Sequence, residues 1–424
     1  MLILTVSYFY KSYALYEEKK DFDAINGPVE DPGDIYFAYY IDGVISRNMP
    51  VQNTGYTLDE TKSNCNNGVV PTWNNAGWKF IGDYHNYSAT TNTRTKCTLY
   101  FNKTAKTVKT ALGNIEVNTY TPDFTKSACD DDSCESHEKG IFETNDYDGN
   151  PTYYYRGSVE NNYVKFAGFY WRIVRINSNG SIRMIYDGTV AHDNGKFSEE
   201  GAIGKNIYNP VTDNAYAGYM YTINSGHGLD NSSEMKKTID SFFTNQLDSY
   251  INYLDVDVGF CGDRSVANGP NDSTYHDNVF YKAFYRVSTN MPTLVCENEL
   301  DFYTTPNSKY GNKALTYPIA LISADEAIYA GLAGGVFQGA YNYTKSSINN
   351  YLVGTPIYTM TPCGGYTAYG SMDNNWWDVH VFSIKNFLDD DFLNREYYTR
   401  PVINIRSDVT ITGSGIQNDP YLVN

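Results

Sequence analysis

The segment at residues 153–186 constrains the possible folds more than any other part of the chain. Its side chains fall into two alternating sets along residues 163–176, which is the two-residue period of a β-strand. The turn at residues 177–180 ends in Asn-Gly, and a second strand pattern follows at residues 181–186. Because Asn-Gly between two strand patterns is a strong hairpin signal, the sequence predicts an antiparallel β-hairpin here.

The composition favours β-structure along the rest of the chain. Tyrosine accounts for 41 of the 424 residues and phenylalanine for 20, whereas charged residues make up only 19%. Soluble domains usually contain about a quarter charged residues, so much of the polarity here comes from Asn, Ser, Thr and the Tyr hydroxyl. Tyr and Thr have high strand propensity, and a chain of this length usually forms two domains. We therefore expect a β-rich α+β protein.

Two segments carry the signals of helices, so about two helices are expected. Apolar residues recur at helical spacing across residues 233–254, behind a capping residue. Ser323 and Glu326 form a capping-box pattern directly after a predicted strand at residues 317–322. Further strands are predicted at residues 357–360, 376–384, 400–406 and 409–412.

These elements suggest three consecutive parts. Residues 1–120 are expected to form an N-terminal β-sandwich-like domain, with strands continuing through residues 104–120. Residues 121–150 are predicted to be a polar, acidic connector, and residues 151–424 a mixed α+β domain. The apolar run at residues 1–10 is too short to span a bilayer and has no positive residues before it. It is interpreted as the remnant of an anchor or, alternatively, as a first strand.

The charge of the chain excludes some classes of partner. The net charge is −17, from 32 basic and 49 acidic residues, and no basic stripe offsets it locally. The phosphate backbone of a nucleic acid and an anionic membrane surface would both be repelled. We therefore expect no nucleic-acid partner, whereas cationic partners and uncharged ones such as glycans and peptides remain open. No cofactor is expected.

The cysteines predict a disulfide-bonded protein in an oxidising compartment. None of the seven lies in a CxxC pair, which makes a zinc site a poor interpretation. Neighbouring cysteines suggest local pairs, and Cys363 is left over. The alternative is a cytosolic protein with reduced, buried thiols. The pairs expected are Cys65 with Cys97, Cys129 with Cys134, and Cys261 with Cys296.

The acidic loop at residues 145–150 suggests a possible calcium-binding site. Asp146, Asp148 and Gly149 supply only a fragment of the EF-hand pattern, which needs alternating oxygen ligands and a terminal bidentate Glu. A solvated hairpin turn is therefore favoured over a calcium site, and no metal ligand is assigned.

Residues 364–377 form the best candidate for a binding surface. The segment combines glycines and amide side chains with rigid aromatic residues, which is the composition of adaptable recognition loops. If the paired tryptophans lie in a strand, they point to opposite faces, so one is expected in the core and one in solvent. The competing interpretation is a Gly-rich loop that covers its own core. The predicted ligand-binding residues are Tyr366, Tyr369, Asn374, Trp376 and Trp377.

A catalytic arrangement is conceivable beside this segment. Asp378 and His380 share one face of a predicted strand, and Cys363 could supply a nucleophile. No local sequence signature supports catalysis, so no catalytic residue is assigned.

Several motifs resemble a family of uncharacterised surface proteins from gut-associated Gram-positive bacteria. They occur in the order expected for that family and cover most of residues 150–424. The family's C-terminal region is distantly similar to the C-type-lectin and formylglycine-generating-enzyme fold, which implies a variable surface at residues 358–401. The sugar-binding triplets of calcium-dependent lectins and the cysteine pair of formylglycine-generating enzymes have no counterpart here. The matching segments are residues 161–176, 180–183, 260–265, 322–326, 400–405, 413–415 and 419–421.

Together these observations predict an extracellular or cell-surface protein. Its C-terminal lectin-like domain is expected to bind a glycan or protein ligand. One alternative is a structural subunit of a surface layer or appendage, in which the Tyr-rich faces self-associate. A third is an enzyme built on a formylglycine-generating-like scaffold.

Overall fold

The structure is a computed structural model that falls into two compact units. Unit 1 comprises Met1–Ala105 with Thr412–Ser414, and unit 2 comprises Lys106–Ile411 with Gly415–Asn424. The residues described are 36–50, 56–66, 68, 72–74, 79–81, 96–103, 105–128, 138–196, 198–223, 225–267, 279–333, 349–367, 377–385 and 388–423. The apolar run at residues 1–10 lies outside them.

Unit 1 contains a five-stranded sheet and a separate β-hairpin. Strand β7 lies between β1 and β3 and also pairs with β4, while β2 extends the sheet beyond β1. Strands β1 and β7 run parallel, and β5 pairs with β6 as the hairpin. The strands of unit 1 are β1 Tyr36–Ile41, β2 Val44–Ser46, β3 Tyr56–Leu58, β4 Asn64–Cys65, β5 Thr72–Asn74, β6 Lys79–Ile81 and β7 Lys96–Lys103.

The core of unit 1 is small and centres on β7. Leu99 and Phe101 on this strand are fully buried, and Tyr39 of β1 packs with them. Cys65 and Cys97 lie directly opposite each other on β4 and β7, and they form a disulfide. A small core gains stability from such a cross-link because the bond restricts the unfolded chain.

Unit 2 contains most of the regular structure. Its helices are α1 Val108–Leu112, α2 Glu234–Gln246, α3 Lys282–Ser288 and α4 Ala324–Tyr329, with 3-10 turns at Glu199–Gly201, Asn214–Tyr216, Asp248–Tyr253 and Glu299–Asp301. Its strands are β8 Lys106–Thr107, β9 Gly140–Asn145, β10 Pro151–Arg156, β11 Tyr163–Phe166, β12 Phe169–Ile176, β13 Ile182–Gly188, β14 Lys205–Ile207, β15 Met220–Tyr221, β16 Asn231–Ser232, β17 Phe260–Cys261, β18 Phe302–Tyr303, β19 Ile319–Ala320, β20 Ile357–Thr367, β21 Trp377–Ile384, β22 Leu388–Phe392, β23 Glu396–Tyr398, β24 Val402–Ile405, β25 Thr410–Thr412 and β26 Tyr421–Val423. The protein is therefore β-rich with few helices.

A ten-stranded sheet forms the centre of unit 2. Eight strands follow the order β19-β24-β13-β12-β11-β26-β25-β8, and β10 pairs with both β12 and β9. The predicted hairpin is β12–β13, whose turn is closed by a hydrogen bond of 2.8 Å from the Asn177 N–H to the Ser181 carbonyl. Gly180 has φ +84°, a conformation that glycine adopts without strain. Residues 171–176 are all buried, because elements cover both faces of β12.

The two predicted helices are present with the predicted caps. The Ser233 hydroxyl accepts a hydrogen bond from the Lys236 N–H at the start of α2, and the chain tightens into a 3-10 turn after Leu247. At α4, the Ser323 hydroxyl accepts from the Glu326 N–H at 3.1 Å, and the Glu326 carboxylate accepts from the Ser323 N–H at 2.9 Å. These bonds satisfy backbone donors that a helix start leaves free.

Residues 104–150 differ from the prediction. Strand structure in the predicted stretch 104–120 is limited to β8 among the described residues, and α1 follows because the Thr107 hydroxyl caps its first turn. Val108 and Leu112 are buried in the core of unit 2, so the unit boundary falls before residue 106 rather than near residue 120. Within the predicted connector, Gly140–Asn145 form the strand β9, which pairs with β10.

A separate five-stranded sheet of unit 2 contains strands at both ends of the predicted binding segment. This sheet has the order β14-β23-β20-β21-β22. Strands β20 and β21 form an antiparallel hairpin, and β22 continues the sheet on the far side of β21.

A second disulfide joins Cys261 and Cys296 in unit 2, with their Cα atoms 5.6 Å apart. Both disulfides are those expected from the spacing of the cysteines, and such bonds persist in oxidising, extracellular environments. Cys129 and Cys134 lie outside the described residues. Cys363 is buried and belongs to neither disulfide.

None of the helices within the described part of the chain is both long and apolar enough to cross a lipid bilayer.

Candidate functional site

The hairpin β20–β21 is firmly anchored at its base. Ile357, Tyr358 and Met360 of β20 are at most 1% exposed, and Val381 and Ile384 of β21 are fully buried. Aliphatic side chains buried on this scale contribute about 1.5–3 kcal/mol each relative to exposed positions. The base of the hairpin therefore belongs to the core of unit 2.

The hairpin bends before it reaches the predicted binding segment. Pro362 pairs with Val381 and Gly364 pairs with His380, so the register shifts between these two pairs. Gly364 has φ +138°, and a Cβ atom there would lie 2.4 Å from the Val279 carbonyl oxygen. No other residue fits such an approach without displacing the neighbouring backbone. Bulges of this kind often occur next to functional sites, where they redirect a strand.

Hydrogen bonds also brace the far side of the hairpin. Asp391 of β22 is 2% exposed and accepts hydrogen bonds from the Ser383 hydroxyl at 2.9 Å and from Arg395 at 2.9 Å. Lys385 Nζ lies 2.8 Å from the same carboxylate. Burial alone would raise the pKa of Asp391, but hydrogen bonds from Lys385, Tyr397 and Ser383 lower it below its usual range. The charged carboxylate thus holds β21, β22 and the following turn together.

The structure describes two of the five predicted binding residues in part. Tyr366 pairs with Asp378, and Trp377 pairs with Thr367, so both backbones lie in the outer part of the hairpin. Tyr369, Asn374 and Trp376 lie outside the described residues. The orientation expected of the two tryptophans therefore stays a prediction.

A second site, which the sequence did not predict, lies in a small cleft of unit 2. We call it the arginine cleft. Its residues come from strands β12, β13, β17 and β18, helices α3 and α4, and the connecting segments. It is lined by Arg175, Arg183, Gly259, Cys261, Asp263, Arg286, Thr293, Leu294, Val295, Phe302, Ser323, Asp325 and Glu326.

One end of the arginine cleft carries more positive than negative charge. Arg175 and Arg183 lie directly opposite each other on β12 and β13. They share a single buried carboxylate, with Arg183 Nη1 2.6 Å and Arg175 Nε 3.5 Å from Glu326 Oε1. Burial alone would raise the pKa of Glu326, but the two arginines hold it below its usual value. Like charges directly opposite on neighbouring strands destabilise a sheet, so this arrangement costs free energy.

The other end of the cleft carries more negative than positive charge. Arg286 of α3 makes two hydrogen bonds of 3.0 Å to the Asp325 carboxylate, and its Nη2 atom lies 2.6 Å from Asp263 Oδ2. Asp325 also accepts a hydrogen bond from the Thr293 N–H. Burial raises the pKa of Asp263, and Arg286 opposes that shift. Both carboxylates at this end therefore lie beside Arg286, although Asp263 Oδ2 itself makes no hydrogen bond.

A sequence signal for the arginine cleft does exist. Arg172 and Arg175 interrupt an otherwise apolar strand that continues to Ile176. Charged residues are almost never fully buried unless they are paired, so arginines in such a strand indicate partners elsewhere in the chain. The partner of Arg175 cannot be read from the sequence, because Glu326 lies far along the chain in helix α4.

The acidic loop at residues 145–150 and a loop histidine, His227, have partners within the protein. The Asp146 carboxylate accepts hydrogen bonds from the N–H groups of Asp148 and Asn150 and from the Ser178 hydroxyl, so this loop is a hairpin turn between β9 and β10. His227 Nδ1 lies 2.9 Å from a carboxylate oxygen of Asp301. Within the described ranges, no group of three or more His, Cys, Asp or Glu side chains is placed to hold a metal ion.

Comparisons with known proteins give no assignment of family or function. The chain matches no protein-family model, and neither the curated proteins nor the solved structures gave a match.

Proposed function

We propose that this chain is an extracytoplasmic protein whose unit 2 binds a glycan or peptide ligand at the outer end of hairpin β20–β21. The observation that carries the proposal is the anchored and redirected hairpin. Its base is buried in the core, while its outer strands lead into a segment rich in glycine, amide and aromatic side chains. Binding residues commonly lie on loops that a rigid scaffold positions.

The composition of this segment supports recognition rather than a purely structural role. Tyr and Trp provide large contact areas with little loss of conformational entropy, and Gly, Ser and Asn provide adaptable hydrogen bonds. Residues 364–377 contain both groups. The net charge of the chain, −17, favours an uncharged or cationic ligand.

The compartment and the fold type form part of the same proposal. The two disulfides support an extracellular or cell-surface location. The resemblance of several motifs to those of surface proteins from gut-associated Gram-positive bacteria supports a C-type-lectin-like fold for unit 2, in which a strand–loop–strand near the C-terminus bears the variable surface. Hairpin β20–β21 occupies that position in the sequence.

A binding screen tests the proposal. The protein is applied to glycan and peptide arrays, and the affinity for each hit is compared with those of Trp376→Ala and Trp377→Ala. We expect one variant to fold normally and bind at least about tenfold more weakly, because hot-spot aromatics contribute about 2 kcal/mol or more. The other variant should lose about 3–5 kcal/mol of stability, because its ring is expected in the core.

Tyr120→Ala is the matched control, because Tyr120 is an aromatic residue of unit 2 that is 51% exposed and lies in a different segment. Its affinity should equal that of the unaltered protein. A screen in which the protein finds only itself would contradict the proposal and favour a structural subunit.

A further inference from the structure

Arg175 differs from the other buried arginines of unit 2. It is 9% exposed, yet its side chain makes no hydrogen bond within the described part of the protein. Its nearest acidic atom is the Glu326 oxygen at 3.5 Å, which already lies 2.6 Å from Arg183. Buried arginines normally use their donors, since a buried polar group without a partner is destabilising. Arg175 therefore presents unused N–H groups to the arginine cleft.

A second unused donor lies in the same cleft. The Nη1 atom of Arg286 is buried and has no hydrogen-bond partner, although Nε and Nη2 of the same side chain bind Asp325. Arg175 and Arg286 thus both line the cleft with guanidinium groups that are incompletely satisfied. Planar guanidinium donors match the geometry of carboxylates and related oxyanions.

The charges in the cleft favour an anion over an amine. Each of the three carboxylates in the cleft already lies within 3.0 Å of an arginine nitrogen, so an added ammonium group finds none without a positive neighbour. Asp263 Oδ2 makes no hydrogen bond, but Arg286 Nη2 lies 2.6 Å from it. An added carboxylate would instead reduce the electrostatic repulsion between Arg175 and Arg183. Burial, together with the positive charge of Arg183, lowers the pKa of Arg175 to about 9, so the group still carries its charge at neutral pH.

The cleft also has an apolar wall. Leu294, Val295 and Phe302 line it together with Cys261 of the disulfide. Val295 is 44% exposed, so this wall reaches the surface. A ligand that fits both features joins a carboxylate to a short apolar group.

We propose that the arginine cleft binds the carboxylate of a small apolar acid or of a peptide chain end, with Arg175 as the main donor. This site is independent of the ligand surface proposed for hairpin β20–β21. The bound carboxylate accepts hydrogen bonds from Arg175 and Arg286, and its apolar group packs against Leu294, Val295 and Phe302.

Calorimetric titration of the whole protein with N-acetyl-leucine tests the site at neutral pH. N-acetyl-leucine amide has the same apolar group without the carboxylate and should bind at least about tenfold more weakly, because hydrogen bonds to charged groups contribute about 1.5–3 kcal/mol. 4-Methylpentanoate separates the two sources of the carboxylate, because it keeps the leucine side chain and the carboxylate but lacks the amide. Equal affinity for 4-methylpentanoate indicates free apolar acids, whereas weaker binding of it indicates peptide chain ends.

Variants of Arg175 complete the test. Arg175→Gln should lower the affinity for N-acetyl-leucine at least about tenfold, and Arg175→Lys should retain part of it, because lysine keeps the charge but not the planar fork. Arg406→Gln makes the same chemical change at an exposed arginine of unit 2 and should leave the affinity unchanged. Folding of each variant is checked by circular dichroism.

Two results would overturn the proposal. One is equal binding of N-acetyl-leucine and its amide, which would show that only apolar contact matters. The other is no detectable binding of N-acetyl-leucine or 4-methylpentanoate by the unaltered protein at concentrations on the order of tens of millimolar. If Arg175→Gln does not fold, Arg175→Lys and the comparison of acid with amide still decide the outcome.

Discussion

Arg172 and Arg175 lie three residues apart on strand β12, and both are buried, but their surroundings differ. Arg172 donates four hydrogen bonds of 2.7–3.3 Å, to Asn162, His192, Val159 and Asn194, and its guanidinium lies 3.7 Å from the centre of the Tyr163 ring. The Arg175 side chain makes no hydrogen bond, and its one ion pair in the described part of the chain is with Glu326, at 3.5 Å. Burial alone does not distinguish an arginine that holds the fold together from one available to a ligand. The hydrogen-bond partners do.

Replacing Arg172, which makes four side-chain hydrogen bonds, should have the largest effect on stability. Arg172→Met should lower the free energy of unfolding by about 3–5 kcal/mol, because it leaves several buried acceptors without a donor. Urea denaturation measures this loss. Arg175→Met is the matched control on the same strand. Similar losses for the two variants would contradict the distinction between them.

The Cys261–Cys296 disulfide should stabilise the surroundings of Arg175 but not those of Arg172, because Cys261 lines the arginine cleft. It closes a loop with a sequence separation of 35 residues, and replacing both cysteines by alanine should lower the free energy of unfolding by about 2–4 kcal/mol. Hydrogen exchange should increase at Thr293 and Val295 along the arginine cleft. It should stay unchanged at Val159 and Asn162 beside Arg172, and increased exchange there would show that the two regions are coupled.

The response to acid depends on the carboxylate shared by Arg175 and Arg183. The folded state holds the pKa of Glu326 below the value of 4.5 expected for the unfolded chain. The unfolded state therefore binds the proton first, and the stability that Glu326 provides is present above pH 4.5 and is lost as the pH falls through the folded pKa. Each unit of difference in pKa corresponds to about 1.4 kcal/mol.

We expect the free energy of unfolding to fall less between pH 6 and pH 3.5 in Glu326→Gln than in the unaltered protein. Urea denaturation at both pH values gives the comparison. Identical slopes for the two proteins would show that Glu326 does not contribute to acid sensitivity.

Replacing Arg175 should have the smallest effect on stability. Arg175→Met should change the free energy of unfolding by less than about 1 kcal/mol, because it removes one long contact and the opposition to Arg183. Residues poised for ligands often contribute little to stability or reduce it. A loss above about 3 kcal/mol would assign Arg175 a structural role.

Local signals in the sequence predicted much of the fold. The turn ending at Gly180 and the capping residues Ser233 and Ser323 each satisfy nearby backbone groups, so their information lies within a few residues. Helix α3 has no capping side chain, since Tyr281 precedes it, and its seven residues are too few for a clear periodicity. It is held instead by the contacts of Arg286 with Asp263 and Asp325.

The two candidate sites differ in how far the sequence could predict them. The segment at residues 364–377 is continuous, so its composition alone made it a candidate. The arginine cleft joins Arg175, Asp263, Arg286 and Glu326 from separate elements. Sequence spacing carries no information about such distant pairs, and only the buried arginines of β12 pointed towards them.

The strand order of unit 2 has a consequence for how the protein is made. Strand β26, close to the C-terminal end of the unit, inserts beside β11 in a parallel pair, and β25 pairs with β8 at the start of the unit. The ribosome must therefore finish almost the whole unit before its central sheet can close. Contacts between such distant segments form slowly and leave apolar strands open in the meantime.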